Sequence, residues 1–219
     1  MKTMLPVFML GVVLLTASCQ RDPGHGFPVP EAKAADLNPP VEPALPPAIE
    51  KNVHEKGQAI AAQAFGVLSS RLDKAIADAG YTNAIEFCSV HGIALTSAVG
   101  VTNEVVLRRV THRPRNVENR ADTNELALIR HFESELSKGA TPKPVVSANK
   151  PGLFTYYSPI VLSLQLCLSC HGQPGTDIKP EVLAQIKTTY PADTATGFKL
   201  GQVRGLWSVD FKRSDFAAP

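Results

Sequence analysis

The chain has 219 residues, which is enough for one sizeable domain with its own hydrophobic core. Its 22 lysines and arginines against 20 aspartates and glutamates leave a net charge of +2. With no large basic cluster and no recognition motif, the sequence provides no field that would steer the protein to nucleic acid, so nucleic acid is not an expected partner.

The N-terminus has the features of an export signal. Lys2 supplies a positive charge, and residues 4–15 form an apolar run that is too short to cross a bilayer comfortably. A run of that length is typical of the core of a signal peptide. We therefore predict a signal peptide over residues 1–18 and an exported, periplasmic protein.

Residues 15–19 (Leu-Thr-Ala-Ser-Cys) resemble a bacterial lipobox, in which cleavage occurs just before the cysteine and that cysteine receives the lipid. Cys19 is therefore the predicted lipidation site and membrane anchor. Thr16 stands where an aliphatic residue is usual, and the alternative is an ordinary signal peptide with a cysteine near its cleavage site. Gln20 follows the cysteine, and by resemblance to Gram-negative lipoproteins the absence of Asp there favours the outer membrane over the inner.

Residues 19–48 contain eight prolines and few large apolar residues, so this segment cannot build a core. We predict a semi-extended tether that, at about 3.1 Å per residue, reaches roughly 90 Å from the anchor. The folded domain is then expected over residues 49–219.

Two helices are predicted at the start of this domain. From Ile49 onward, apolar residues recur at steps of three and four up to Gly80, which predicts a long helix that packs on a sheet and ends there. Asn83, with Glu86 three residues later, predicts the capped start of a second helix that runs to about residue 98. Cys88 lies on the apolar face of that second helix. His91 projects about 60° round the helix from it.

The middle of the domain alternates strands with a helix. Residues 104–112 are predicted to form a strand, followed by a loop at Arg113-Pro-Arg-Asn116. Asp122 and Glu125 have the spacing of a capping box at the start of another helix. Residues 144–148 and 153–162 then predict a hairpin whose type II turn is centred on Pro151-Gly152.

The hairpin leads into Cys167-Leu-Ser-Cys-His171, and C-x-x-C-H is the attachment signature of a c-type haem. Two cysteines three apart lie on one side of a helical turn and can both bond the vinyl groups of the porphyrin, while the adjacent histidine becomes an iron ligand. A redox disulfide and half of a zinc site are the alternatives, although zinc usually needs a second ligand pair. A helix over residues 180–189 and a strand over residues 202–211 complete the chain.

The second axial ligand of that iron is restricted by composition. All three methionines precede residue 10, inside the predicted signal peptide, so the mature chain cannot supply a Met ligand. Cys88 is the thiol that remains after lipid and haem have taken the others, and an inert buried cysteine is the alternative for it. His91 is the competing candidate, and spacing alone does not choose between the two.

Side chains in the surrounding segments are candidates for haem contacts. Arg113 and Arg115 can pair with the haem propionates through bidentate bonds, or they can be solvated surface charges. Tyr156 and Tyr157 are expected near the macrocycle because their strand leads directly into the haem motif.

The order of these features resembles a known family of exported single-haem domains with a PAS-like α+β fold, found alone or as sensor modules of histidine kinases and chemoreceptors. Four segments carry the resemblance: residues 83–88 (Asn-Ala-Ile-Glu-Phe-Cys), residues 113–116, residues 156–172 and residues 201–205 (Gly-Gln-Val-Arg-Gly). It implies an antiparallel sheet with a long N-terminal helix and flanking helices. It also implies one covalent haem c with His171 on one side of the iron and Cys88 on the other.

Two functions are compatible with such a domain. In a redox or gas sensor, the oxidation state of the iron or a diatomic ligand changes the bond at Cys88 and hence the helix that carries it. In an electron carrier, the haem passes single electrons between periplasmic or membrane partners. Peroxidase-like catalysis would need an open iron position with acid and base residues, and no such pair is recognisable, so we expect no enzyme.

Overall fold

The computed structural model describes residues 45–216. The predicted signal peptide, Cys19 and most of the tether over residues 19–48 lie outside the described residues. The account below concerns the folded domain.

The domain combines four α-helices with one four-stranded antiparallel sheet, in the strand order β1-β4-β3-β2. The helices are α1 (Pro47–Thr102), α2 (Thr123–Ser137), α3 (Gln165–His171) and α4 (Pro180–Thr189). The strands are β1 (Val106–Val110), β2 (Val145–Ser147), β3 (Leu153–Val161) and β4 (Val203–Lys212), and short 3₁₀ helices cover Val117–Asn119 and Arg213–Phe216. The predicted α+β class, with a long N-terminal helix on an antiparallel sheet, is confirmed.

The first part of α1 packs on one face of the sheet, as its apolar periodicity predicts. Val53, Ile60 and Ala64 are buried in one cluster with side chains of β3 and β4. The absence of a side chain at Gly57 leaves room for the Tyr156 ring in this contact, because a Cβ atom at residue 57 would lie 2.3 Å from the Tyr156 Cγ atom. The helix and the sheet therefore approach as closely as a glycine allows.

The backbone leaves helical geometry once within α1, at Ala79 (φ −152°) and Gly80 (φ 78°). The predicted end of the first helical segment at Gly80 is thus confirmed. The predicted capping box at Asn83 and Glu86 is wrong, because the helix resumes directly after Gly80 and continues to Thr102. The Asn83 side chain instead donates a hydrogen bond of 2.9 Å to the Ala75 carbonyl, which belongs to the last turn before the break.

Three local predictions in the middle of the chain have clear outcomes. The first strand is shorter than predicted, since Glu104 has a φ of 58° and turns the chain before β1 begins. The type II turn is confirmed: Gly152 has a φ of 71°, and the Leu153 amide donates to the Lys150 carbonyl at 3.1 Å. The capping box of Asp122 and Glu125 is also present, with both reciprocal bonds formed.

Helix α2 covers the second face of the sheet. Ile129 and Phe132 are fully buried there against Leu206 and Tyr157. The sheet is therefore sandwiched between α1 and α2, while α3 and α4 pack with the second part of α1 beyond it.

The close contact at Gly57 generates a paired prediction, because α1 also contains Gly66, where an added Cβ would meet nothing within 4 Å. Replacement of Gly57 with Ala overpacks the helix–sheet contact, and we expect a loss of about 1–3 kcal/mol in the free energy of unfolding. Gly66→Ala keeps the same chemistry at an exposed helical site and should gain about 0.5–1 kcal/mol. Urea denaturation of both variants measures the difference, and equal effects would contradict the packing described.

Candidate haem site

The C-x-x-C-H motif forms the short helix α3, with Leu168 buried against Leu162 and Phe198. Cys167 and Cys170 are free thiols, one helical turn apart. The helix ends at His171, and a Cβ added to the next residue, Gly172, would lie 2.5 Å from the Asp177 Cβ atom. The glycine after the motif is thus required because the Asp177 side chain approaches its backbone closely.

The His171 side chain is held in one tautomer. Its Nδ1 atom lies 2.8 Å from the Ala195 carbonyl oxygen, and since a carbonyl can only accept, Nδ1 must carry the hydrogen. Burial, followed by repulsion from Arg204 and Arg115, keeps the pKa of His171 well below its usual range. The imidazole is therefore neutral, and Nε2 has a free lone pair, which is the state that a metal ligand needs.

The Ala195 carbonyl belongs to a loop over residues 190–198 that is fastened to the end of α3. The Phe198 amide donates to the His171 carbonyl at 2.9 Å, and the Gly197 amide donates to the Gly172 carbonyl at 2.7 Å. On its other side the loop is tied to the 113–116 loop, where Thr194 donates to the Pro114 carbonyl. These bonds fix the position from which Ala195 orients the imidazole.

Phe198 anchors this loop to the domain. Its ring is 2% exposed and has two guanidinium groups above it, that of Arg113 at 4.0 Å and that of Arg204 at 5.3 Å from the ring centroid. The rings of His112 and His171 approach its edges at 6.2 Å and 6.4 Å between centroids. A cation over the face of a desolvated aromatic ring is attracted to that ring, so the two guanidinium groups stabilise the buried position of Phe198.

Cys88 lies in the second part of α1, at the same site. Burial raises the pKa of the Cys88 thiol, while Arg109 and Arg115 oppose that rise. Burial also raises the pKa of Cys170 to about 11. The charge of Arg115 opposes that rise, and a negative charge on Cys88 adds to it. The fold thus brings Cys88 within electrostatic range of the motif, although 78 residues lie between Cys88 and Cys167 with sheet strands among them.

His91, the competing candidate, has an exposed side chain. Its ring packs on that of Phe87 with 4.8 Å between centroids. Gly92, the next residue, faces inward, and its carbonyl accepts a hydrogen bond of 2.9 Å from the Arg109 Nη2 atom. The Arg109 side chain therefore lies beside the backbone of α1 at Gly92.

Arg113 and Arg115 both lie at the site, and both donate to protein acceptors. Arg113 donates to the Thr194 and Thr196 carbonyls. Arg115 forms an ion pair of 3.0 Å with Asp193 and donates to the Cys170 carbonyl at 2.6 Å. Their contacts with haem propionates stay a prediction, and the bonds that they make here fasten the two loops to α3.

Tyr156 and Tyr157 are each 1% exposed and lie in the two core layers on either side of the sheet. Tyr156 packs under α1 beside the His54 ring, and Tyr157 packs under α2 beside Lys150. Cys167 and Cys170 pack in other clusters. The placement gives both tyrosines a core role, and their predicted haem contacts stay untested.

Four residues of the site were not predicted as site residues: Arg109, Asp193, Phe198 and Arg204. Arg109 and Arg204 had a detectable signal, because each places a charge inside a mainly apolar strand. Asp193 and Phe198 had none, since their importance depends on a contact with segments that are distant in the sequence.

Fold and site together define a class: α+β domains in which a long N-terminal helix packs on a four-stranded antiparallel sheet and a short C-x-x-C-H helix follows the third strand. The chain belongs to the Tll0287-like family, whose sequence profile matches residues 46–211.

Among solved structures, the fold is similar to that in the crystal structure of the cyanobacterial haem protein Tll0287. The two sequences are 20% identical, the match covers 78% of this chain and 98% of that chain, and the TM-score is 0.52. No curated protein sequence matches the chain.

Proposed function

We propose that this chain is a c-type haem protein in which Cys167 and Cys170 hold the macrocycle covalently and His171 is an axial ligand of the iron. The observation that carries the proposal is the His171–Ala195 bond, which leaves Nε2 unprotonated at the end of a C-x-x-C-H helix. A haem bound there supplies one-electron redox chemistry and an iron that can bind small ligands. The similar fold of a cyanobacterial haem protein supports the proposal.

The donor set suits a haem better than a bare metal ion. Within residues 45–216, no group of three or more His, Cys, Asp or Glu side chains is placed to hold a metal by itself. A structural zinc ion needs four protein ligands, whereas a haem iron takes four nitrogens from the porphyrin and needs only axial ligands from the chain. Cys88 and His171 provide two side chains for those axial positions.

Charge supports Cys88 as the second axial ligand. Arg204, Arg115 and Arg109 all lower the pKa of His171, so the positive charges of three guanidinium groups act on this side chain. Asp193 neutralises one of them, and the two propionates of a haem would neutralise the others. A ferric porphyrin core still carries one positive charge, which a thiolate balances and a neutral imidazole from His91 does not.

The first prediction tests covalent attachment. When the protein is expressed in a host with cytochrome c maturation, mass spectrometry of the denatured chain should show one haem per chain, since thioether bonds survive unfolding. Cys167→Ala combined with Cys170→Ala should lose the covalent haem. Haem that extracts from the wild type into acidified solvent would overturn the assignment.

The second prediction tests the distal ligand. Loss of a thiolate-type low-spin signal in the ferric electron paramagnetic resonance spectrum is expected for Cys88→Ala, and the spectrum should be unchanged for His91→Ala, whose side chain is exposed. The opposite pattern would assign the ligand to His91 and give a bis-histidine haem. Because a thiolate stabilises ferric iron, the potential of the wild type should also be lower than that of a His/Met cytochrome.

We propose a redox or gas sensor with a PAS-like fold as the biological role, and an electron carrier as the alternative. The sensor is favoured by the position of Cys88 on the second part of α1, which Arg109 ties to β1 through the Gly92 carbonyl. A change in the bonding of Cys88 would act on that helix and, through Arg109, on the sheet. No enzymatic role is proposed, because Cys88 would take the iron position that a peroxidase keeps open.

Carbon monoxide separates the two roles. A sensor should release Cys88 and bind carbon monoxide readily in the reduced state, so its optical spectrum should change on adding the gas. A carrier with two firmly bound axial ligands should show little change. The Cys88→Ala variant provides the open-site reference for full binding.

We also propose a periplasmic location with a lipid anchor at Cys19, on the outer rather than the inner membrane, and a redox or signalling partner there. The lipobox-like residues 15–19 support this proposal. Labelled fatty acid should enter the wild type but not Cys19→Ala. A wild-type protein that is wholly soluble in the periplasm would contradict the anchor.

A further inference from the structure

Two of the arginines at the site have donors that no group within residues 45–216 uses. Arg109 extends from β1 towards the second part of α1, where its Nη2 atom donates to the Gly92 carbonyl. Its Nε atom is buried and has no hydrogen-bond partner among the described residues. A buried N–H of a cation without an acceptor is costly, so an acceptor for it is expected at this position.

Arg204, on β4, also has a buried donor without a partner among the described residues. Its Nη1 atom donates to the Thr111 hydroxyl at 2.8 Å and to the Arg113 carbonyl at 3.1 Å, while its Nε atom is buried without a partner in the described part of the chain. Burial, then the positive charges of Arg115 and Arg109, lower its pKa to about 9. The guanidinium thus lies where an anion would relieve both its desolvation and its repulsion from its neighbours.

Arg113 and Arg115 differ from this pair. Arg115 is matched by the Asp193 carboxylate and binds the Cys170 carbonyl, which places it at the cysteine edge of the site. Arg113 is committed to the Thr194 and Thr196 carbonyls and to the Phe198 ring. The vinyl groups that react with the cysteines and the propionates occupy opposite edges of a haem, so an arginine beside Cys170 is badly placed for a propionate.

We propose that Arg109 and Arg204 bind the two propionate carboxylates of the haem, and that Arg113 and Arg115 instead position the loops that orient His171. The inference rests on the proposed haem function and changes the assignment that the sequence suggested. Two guanidinium groups with free donors match two carboxylates in number and charge, and carboxylates are the anions that guanidinium groups bind most directly. Arg109 and Arg204 then anchor the propionate edge, while Cys167 and Cys170 anchor the other.

The test compares four single variants of the haem-loaded protein: Arg109→Gln, Arg204→Gln, Arg113→Gln and Arg115→Gln. Resonance Raman spectroscopy reports the propionate-bending band, which shifts to lower frequency when a propionate loses a hydrogen bond. We expect that shift in the Arg109 and Arg204 variants and an unchanged band in the other two. Arg109→Lys and Arg204→Lys keep the charge without the guanidinium geometry, and they provide milder variants if a glutamine prevents folding.

The outcomes separate this inference from the proposed function. A haem-loaded wild type whose band shifts only in the Arg113 or Arg115 variants would overturn the inference and restore the sequence-based assignment. An unchanged band in all folded variants of Arg109 and Arg204 would overturn it as well. A wild type without haem would instead show that the proposed function fails, and the inference fails with it.

Discussion

The hydrogen bond between His171 and the Ala195 carbonyl is the constraint on which the site depends. An unpaired buried N–H would cost about 1–3 kcal/mol, and the ring would lose its fixed tautomer. The acceptor does not belong to the motif: it lies on the 190–198 loop, which is fastened to the 113–116 loop by the Thr194–Pro114 bond and by the contact of Phe198 with Arg113. The orientation of one imidazole therefore depends on segments from most of the domain, and the five-residue motif is necessary but not sufficient for the site.

The same region contains more positive charge than its own carboxylates balance. Three arginines act on His171, and one aspartate pairs with one of them. Desolvated cations without counter-ions oppose folding, so the anionic cofactor that we propose for this site would remove that cost. Its binding would then be coupled to folding, because a ligand that binds only the folded state stabilises that state by mass action. Arginine is suited to this role, since it stays charged under burial that would deprotonate a lysine.

Local signals in the sequence predicted local structure well. Pro151 and Gly152 fixed the hairpin turn, Asp122 and Glu125 fixed the start of α2, and the spacing of apolar residues predicted that α1 packs on the sheet. The failure at Asn83 is instructive, because its side chain bonds to a carbonyl eight residues earlier and competes with the capping pattern. The partners of Arg109, Arg204 and Phe198 could not be predicted, since each contact joins segments that only the tertiary fold brings together.

The two-residue break at Ala79 and Gly80 divides α1 into two helical segments whose side-chain directions are not tied to each other. In an unbroken helix of 3.6 residues per turn, Ile60 and Cys88 would project roughly 80° apart, so their directions would be tied to each other. Because the chain leaves helical geometry at the break, the segment that faces the sheet and the segment that carries the thiol each obey their own register. The direction in which Cys88 projects is therefore independent of the direction in which Ile60 projects. Gly80, at a φ of 78°, is the residue that makes this independence inexpensive.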